Sequence, residues 1–239
     1  MDKRHKKYGR ILLKISGEVL AGSKGYGIDP DEVTSIAESI KELASHDIDV
    51  AVVIGGGNII RGAQESAKGM ERAVADYMGM LSTLINGMAL QDKIEKIGLD
   101  SRLVSAFEIR EICEPYIRRK CLSHFEKKRV VILAGGTGNP FFSTDTAAAL
   151  RAAELGAEIL LKATKVDGIY DKDPESNTDS KKFESLTYMD YLQGRYRVMD
   201  QTAVTLCQEN SLPIVVFSVK DKSNILKAAL GQAVGTLVC

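Results

Sequence analysis

Two lysines stand where lysines are rarely found. Lys14 lies inside Ile11-Leu-Leu-Lys-Ile15, and Lys162 closes Leu160-Leu-Lys162, both otherwise apolar runs. Lysine is among the residues least often buried without a partner. An ammonium at the end of such a run can act as a point charge on phosphate. The alternative for Lys14 is an edge position from which its stem snorkels to water. Three glycine turns accompany the lysines. Ser16-Gly17 follows the first run, Gly55-Gly-Gly-Asn58 follows residues 50–54, and Gly135-Gly136 follows residues 130–134. Glycine there would let backbone approach a ligand closely. The third turn continues through Thr137-Gly-Asn-Pro-Phe-Phe-Ser-Thr144 to Asp145 and a strong helix former over residues 146–155. Strand, glycine loop and helix N-terminus in that order aim N–H groups and a positive dipole end at an anion, above all phosphate. Two cations and such a loop suit the charge that develops in phosphoryl transfer, where catalysis is mainly positioning and electrostatics. Asp145, at the start of the helix, either serves its dipole or orients the lysines or a magnesium ion. Arg61, just beyond the second turn, either caps the same phosphates or is an ordinary surface arginine. No residue compels a general base, and a phosphate acceptor that is already ionised needs none.

These residues need a frame that gathers strand ends. Apolar runs recur at residues 11–15, 50–54, 102–106, 130–134, 159–162 and 214–217, with a weaker one at 236–238. Most are rich in Val, Ile and Leu with little alternation, the mark of strands buried on both faces. Helical patterns fit between them. Asp29-Pro30-Asp-Glu32 reads as an N-cap, a proline at the first helical position and a glutamate at N3. Val33, Ile36, Ala37, Ile40 and Leu43 then follow helical spacing. A second helix is predicted over residues 70–97. Its apolar residues include Ala73, Val74, Tyr77, Met78, Leu81, Leu84, Ile85, Met88 and Ala89, a stripe wider than one core contact needs. It is either a central core helix or one that also packs against another subunit. The alternation predicts an α/β fold, a three-layer αβα sandwich with a mainly parallel central sheet. In open sheets of this kind, ligands bind beyond the carboxyl ends of the strands.

The bulk numbers exclude several classes. The chain has 239 residues and a formal net charge of zero, so its charge points to neither nucleic acid nor membrane. No apolar stretch reaches the roughly 18 residues of a membrane span. The basic start, Met1-Asp-Lys-Arg-His-Lys-Lys7, reads as a solvated terminus and not a signal peptide. The four cysteines are scattered with no CxxC pair, which fits a reducing cytoplasm and argues against a cysteine zinc site. Neither GxxxxGK[ST] nor a GxGxxG opening the first βα unit occurs, so a P-loop kinase and a typical dinucleotide dehydrogenase are both set aside. No linker interrupts the chain, and one domain is expected over residues 1–239, although residues 168–200 turn polar.

The motifs together resemble the amino acid kinase superfamily, and within it the bacterial uridylate kinases, along essentially the whole chain. They are Leu13-Lys-Ile-Ser-Gly-Glu18, Val53-Ile-Gly-Gly-Gly-Asn58 with Arg61-Gly62, and Asp76-Tyr-Met-Gly-Met-Leu81. They continue with Gly136-Thr-Gly-Asn-Pro-Phe-Phe-Ser-Thr-Asp145, Lys162-Ala-Thr-Lys-Val-Asp-Gly168 and Asp171-Lys-Asp-Pro174. The Lys-x-x-Lys-Val-Asp-Gly segment alone marks only the wider superfamily.

The resemblance implies an amino acid kinase-like fold and transfer of the γ-phosphate of ATP, carried with Mg²⁺, to UMP. Its acceptor side would be mainly residues 1–160 and its ATP side mainly 161–239. It implies ATP-phosphate contacts at Lys14, Ile15, Ser16, Gly17, Gly57 and Arg61. Nucleoside-side ATP contacts fall on Thr164, Tyr170 and Asp173. The UMP site falls on Gly56, Asp76, Thr137, Gly138, Asn139, Pro140, Phe141, Phe142, Ser143 and Thr144. Asp76 can accept hydrogen bonds from ribose hydroxyls. Phe141 or Phe142 either packs on the base or fills core. Lys14, Asp145, Lys162 and Asp200 form the implied catalytic set, with Asp200 the least defined. The family is typically hexameric, cytoplasmic, activated by GTP and inhibited by UTP. Its activation-linked loop aligns with Gly22, Ser23, Lys24, Gly25, Tyr26 and Gly27, which otherwise reads as a plain flexible loop. Arg102 is a retained basic effector position, whereas Gln91 and Glu95 stand where some members carry basic residues. An amino-acid or carbamate kinase would not need Asp76 or the long acceptor loop. A nucleotide sensor without activity would not need Lys14, Asp145 and Lys162.

Overall fold

The computed structural model describes residues 8–60, 69–174, 176–177 and 179–239. Arg61 and the basic start, residues 1–7, lie outside the described residues. The strands are β1 (Arg10–Ile15), β2 (Asp49–Ile54), β3 (Ser101–Ser105), β4 (Glu114–Pro115) and β5 (Val130–Ala134). They continue as β6 (Ile159–Thr164), β7 (Ser185–Leu186), β8 (Ile214–Ser218) and β9 (Thr236–Val238). Among the described residues they form one sheet of nine strands, ordered β4-β3-β5-β2-β1-β6-β8-β9-β7. Of these pairings only β8 with β9 is antiparallel. The third strand begins one residue earlier than its sequence pattern suggests, and the sixth runs two residues beyond Lys162.

Helices cover both faces. They are α1 (Gly17–Leu20), α2 (Pro30–Ser45), α3 (Arg72–Lys96), α4 (Arg118–Glu126), α5 (Thr144–Leu155), α6 (Tyr188–Gly194), α7 (Gln201–Glu209) and α8 (Ser223–Ala229). Odd-numbered β1 residues Ile11, Leu13 and Ile15 pack with α2, α3 and α8 in one core. Leu12 on the opposite face packs with α4, α5, α6 and α7 in a second. That alternation along β1 separates the three layers. The helix starts follow local chemistry. Asp29 accepts the N–H groups of Asp31 and Glu32 and so caps α2. Glu32 at N3 instead pairs with Lys222 at 2.7 Å. All four cysteines are free thiols. Among the described residues no helix is long and apolar enough to cross a membrane.

Candidate active site

The central strands bring the two lysines together. β1 and β6 are parallel neighbours, and Lys14 pairs in register with Lys162. Adjacent strands lie about 4.8 Å apart, so two ammonium-bearing stems project side by side from one face. Both residues are buried, at 7% and 5% exposure. β1 lies in the middle of the sheet, which rules out the edge position for Lys14. Like charges so placed need an anion between them. Helix α5 supplies it. Its alanines, Ala148, Ala149 and Ala152, are fully buried and let the helix lie close on the sheet. Asp145 in its first turn reaches Lys14 at 2.7 Å and bridges to Lys162 through its other oxygen. Asp145 is therefore more than a partner of the helix dipole. Burial would raise its pKa, but the two lysines outweigh that and hold it at about 2. Burial also dominates at Lys162 and pulls its pKa down to about 8 against the attraction of Asp145.

The glycine turns meet at the carboxyl ends of three adjacent strands, β5, β2 and β1. They pack on one another. A Cβ on Gly17 would stand 2.5 Å from Asn58 Oδ1 and 2.9 Å from Gly57 N. A Cβ on Gly56 would overlap the Ser82 hydroxyl. Helix α3 holds the turns with three buried polar side chains that the sequence reading passed over. Ser82 donates to Gly56 O at 3.0 Å. Thr83 accepts the Gly135 N–H at 2.8 Å. Asn86 donates to Gly55 O at 2.7 Å and exchanges side-chain hydrogen bonds with Asn58. Their signal was available: polar residues at i, i+1 and i+4 in the middle of an otherwise apolar helix share one region of its surface.

The acceptor loop closes over this corner. Gly56, Gly57, Asp76, Gly136, Asn139, Phe142 and Thr144 line one cavity of about 160 Å³. Thr137 opens with Asn139 and Phe142 onto a neighbouring cavity of about 560 Å³ beside Gln201 and Thr205 of α7. Gly138 closes a turn by donating its N–H to Gly135 O at 3.0 Å. Pro140 lines neither of these two cavities. Phe141 and Phe142 are 68% and 52% exposed, so neither fills core. Ser143, which sequence places in the UMP set, is the N-cap of α5 and accepts from Asp145 N and Thr146 N. The helix thus begins at Thr144, one residue before Asp145.

Asp200 acquires defined neighbours. It caps α7 by accepting from Ala203 N at 2.8 Å. It also accepts from Ser143 Oγ and from Thr146 Oγ1, the latter at 3.0 Å. It ties α7 to the first turn of α5, beside Asp145. Tyr191, missed in sequence, braces it from behind. This buried hydroxyl donates to Met199 O and accepts from Met199 N, both at 2.8 Å. On the other side, Thr164, Tyr170 and Asp173 line a cavity of about 660 Å³ with Arg195 and Arg197. Tyr170 there donates its hydroxyl to Asp167 at 2.8 Å.

The segment from Gly22 to Gly27 is more than a plain loop. A 3₁₀ turn spans Gly22–Lys24, and Gly27 exchanges hydrogen bonds with Asn58 through N–H and carbonyl. It is thereby tied to the second glycine turn. Arg102 lies at the opposite end of the sheet, second in β3, within 3.8 Å of Glu95 and Glu114. The structure does not bring it to the crevice. The arrangement as a whole offers two buried cations fixed by one carboxylate, with cavities on either side along the strand order. Such a site can hold two phosphorylated ligands and stabilise charge on a group passing between them.

Comparison with known proteins agrees with this chemistry. Residues 9–218 match the amino acid kinase family. A UMP kinase structure from Bacillus anthracis superposes with TM-score 0.93 at 34% identity, covering 97% of this chain and 96% of that one. One from Ureaplasma parvum gives 0.90 at 36% identity, covering 97% and 99%. A uridylate kinase from Archaeoglobus fulgidus gives 0.75 at 28% identity, covering 96% and 99%.

Proposed function

The chain belongs to the amino acid kinase family, and from that membership we propose that it is a UMP kinase, converting UMP and ATP to UDP and ADP. The observation that carries the reading is the bridge of Asp145 between Lys14 and Lys162. It stands on strands flanked by the cavity containing Asp76 and by the cavity lined by Thr164, Tyr170 and Asp173. UMP occupies the first cavity, with Asp76 on its ribose and the glycine turns and loop on its phosphate and base. ATP lies along the second, with its phosphates against residues 14–17, Gly57 and Arg61. Lys14 and Lys162 stabilise the charge on the moving phosphoryl group. Asp145 keeps both ammonium groups in place. It is not a base, because its low pKa leaves it a poor proton acceptor at neutral pH. UMP phosphate is already ionised and attacks without one.

Among the described residues no group of three or more His, Cys, Asp or Glu is placed to hold a metal ion. Mg²⁺ would be carried by the ATP phosphates, where it would neutralise phosphate charge. Ile15, Ser16 and Gly17 would support those phosphates by backbone. Asp200 orients the first turn of α5 through Ser143 and Thr146.

The chain acts as one domain, with acceptor and ATP sides divided near residue 160, in the cytoplasm. It assembles with copies of itself, as a hexamer, through the exposed stripe of Val74, Tyr77, Leu81, Ile85 and Met88 on α3. GTP activates and UTP inhibits. The link from Gly27 to Asn58 offers the activation-linked loop a path to the phosphate turn. Glu95 and Glu114 beside Arg102 weaken its attraction for an anionic effector. The test is ADP release with UMP, CMP, glutamate, aspartate and carbamate as acceptors. UMP should be the best acceptor by far. Failure of UMP while another acceptor works would sink the reading.

A further inference from the structure

We propose that Arg72 is a positioning residue for the acceptor ribose, fixing Asp76 so that the site distinguishes ribonucleotide from deoxyribonucleotide acceptors. The inference rests on the UMP kinase reading and adds a residue to it.

Arg72 opens α3, and its Nε donates to both carboxylate oxygens of Asp76, at 2.9 and 2.8 Å. Helix stability does not explain the pair. A cation in the first turn faces the positive end of the helix dipole. The basic residue also precedes the acidic one, the weaker order for an i,i+4 pair. An exposed pair of this kind contributes little by itself. Here, however, the Asp76 side chain is only 12% exposed, and it lines the acceptor cavity.

A second donor converges on the same carboxylate. Phe141 gives its backbone N–H to Asp76 Oδ2 at 2.8 Å. Phe141 does so with φ at 72°, a conformation that costs a bulky residue energy and collects at functional sites. The Arg72 guanidinium lies 5.9 Å from the centre of the Phe141 ring. The helix start and the acceptor loop are therefore clamped together through one carboxylate. A carboxylate offers about four acceptor directions; the Arg72 Nε–H, shared between both oxygens, and the Phe141 N–H hold it from two sides and leave acceptor capacity for a ribose hydroxyl. A ribose hydroxyl then meets a carboxylate whose orientation is already set. Loss of Arg72 frees Asp76 to rotate toward Phe141 or solvent.

The test compares UMP and 2′-deoxy-UMP as acceptors in the wild type, Arg72→Ala and Arg72→Lys, with saturating ATP. Arg72→Ala should raise KM for UMP by about ten-fold or more, the scale of one charge-assisted hydrogen bond, with kcat within about two-fold. KM for 2′-deoxy-UMP should change by less than half as much, so the preference for UMP shrinks. Arg72→Lys, which keeps charge but not the planar donor, should fall between. A structural defect would instead lower kcat and affect both acceptors alike, and the melting temperature would register it. Equal losses on the two acceptors, no loss on either, or a wild type indifferent to the 2′-hydroxyl would overturn the role of Arg72. A wild type that does not use UMP would overturn the underlying reading.

Discussion

A carboxylate placed between two ammonium groups makes a pair of buried lysines tolerable, and it makes the lysines interdependent. Asp145→Asn would leave Lys14 and Lys162 facing each other uncompensated. Breaking such a buried arrangement costs about 3–5 kcal/mol, and the melting temperature of Asp145→Asn should fall accordingly. The low pKa of Asp145 has a stability consequence with a definite sign. Its folded value of about 2 lies below its ordinary 3.8, so its contribution is present above pH 3.8 and disappears as pH falls toward 2. Urea unfolding across that window should show a loss that Asp145→Asn lacks. Lys162 sets an opposite limit. Its folded value of about 8 lies below its ordinary 10.5, so it is charged below pH 8 and loses its charge above it. The kcat/KM for ATP should therefore decline above pH 8. In Lys162→Arg, whose guanidinium does not titrate in this range, that decline should move to higher pH even if the overall rate is lower. Lys14→Ala should cut kcat by roughly 10²–10³-fold, the range for removing one preorganised charge-stabilising donor, as measured by ADP release.

At the scale of elements, α3 is the organiser. Its buried face carries Ser82, Thr83 and Asn86 to the glycine turns, and its first turns carry Arg72 and Asp76 to the acceptor loop. Thr83→Val keeps the shape of the side chain but removes the acceptor for the Gly135 N–H. An unsatisfied buried donor costs about 1–3 kcal/mol. The variant should be less stable by that amount in urea unfolding, with KM for UMP rising more than KM for ATP. The elements themselves were largely legible. Uninterrupted Val, Ile and Leu runs announced buried parallel strands, and Asp29-Pro30 announced the start of α2. The junctions were less so. Nothing local says that Lys14 lies opposite Lys162, because register follows from packing across the sheet and not from either strand. Ser82, Thr83 and Asn86 carry a signal in their spacing, but polar residues between apolar ones fit a solvent-facing side equally well until the packing of α3 is known. The cap that Ser143 provides went unread because its partners, the N–H groups of Asp145 and Thr146, become a helix start only once the loop before them is closed. Asp200 stayed undefined because its partners, Ser143 and Thr146, lie more than fifty residues earlier in the chain.

The whole molecule places its chemistry where strand order makes room for two ligands. The turns after β5 and β2 line one side, the segment after β6 lines the other, and the turn after β1 lies between them in the strand order. The same sheet leaves α3 with an outward stripe of five large apolar side chains, each 46–49% exposed. A contiguous patch of this kind marks an interaction surface. Leu81→Lys with Ile85→Lys would put two charges into that surface. Light scattering should show the wild type as a homo-oligomer and the double variant dissociated toward smaller species. An unchanged mass would place the interface elsewhere. Transfer between two bound nucleotides is the central claim. The most direct measurement is to incubate the protein with ATP labelled at its γ-phosphate, UMP and Mg²⁺, and to find where the label goes. Label should appear in the β-phosphate of UDP, in step with ADP formation. Label released only as inorganic phosphate, or ATP left intact in the presence of UMP, would contradict it.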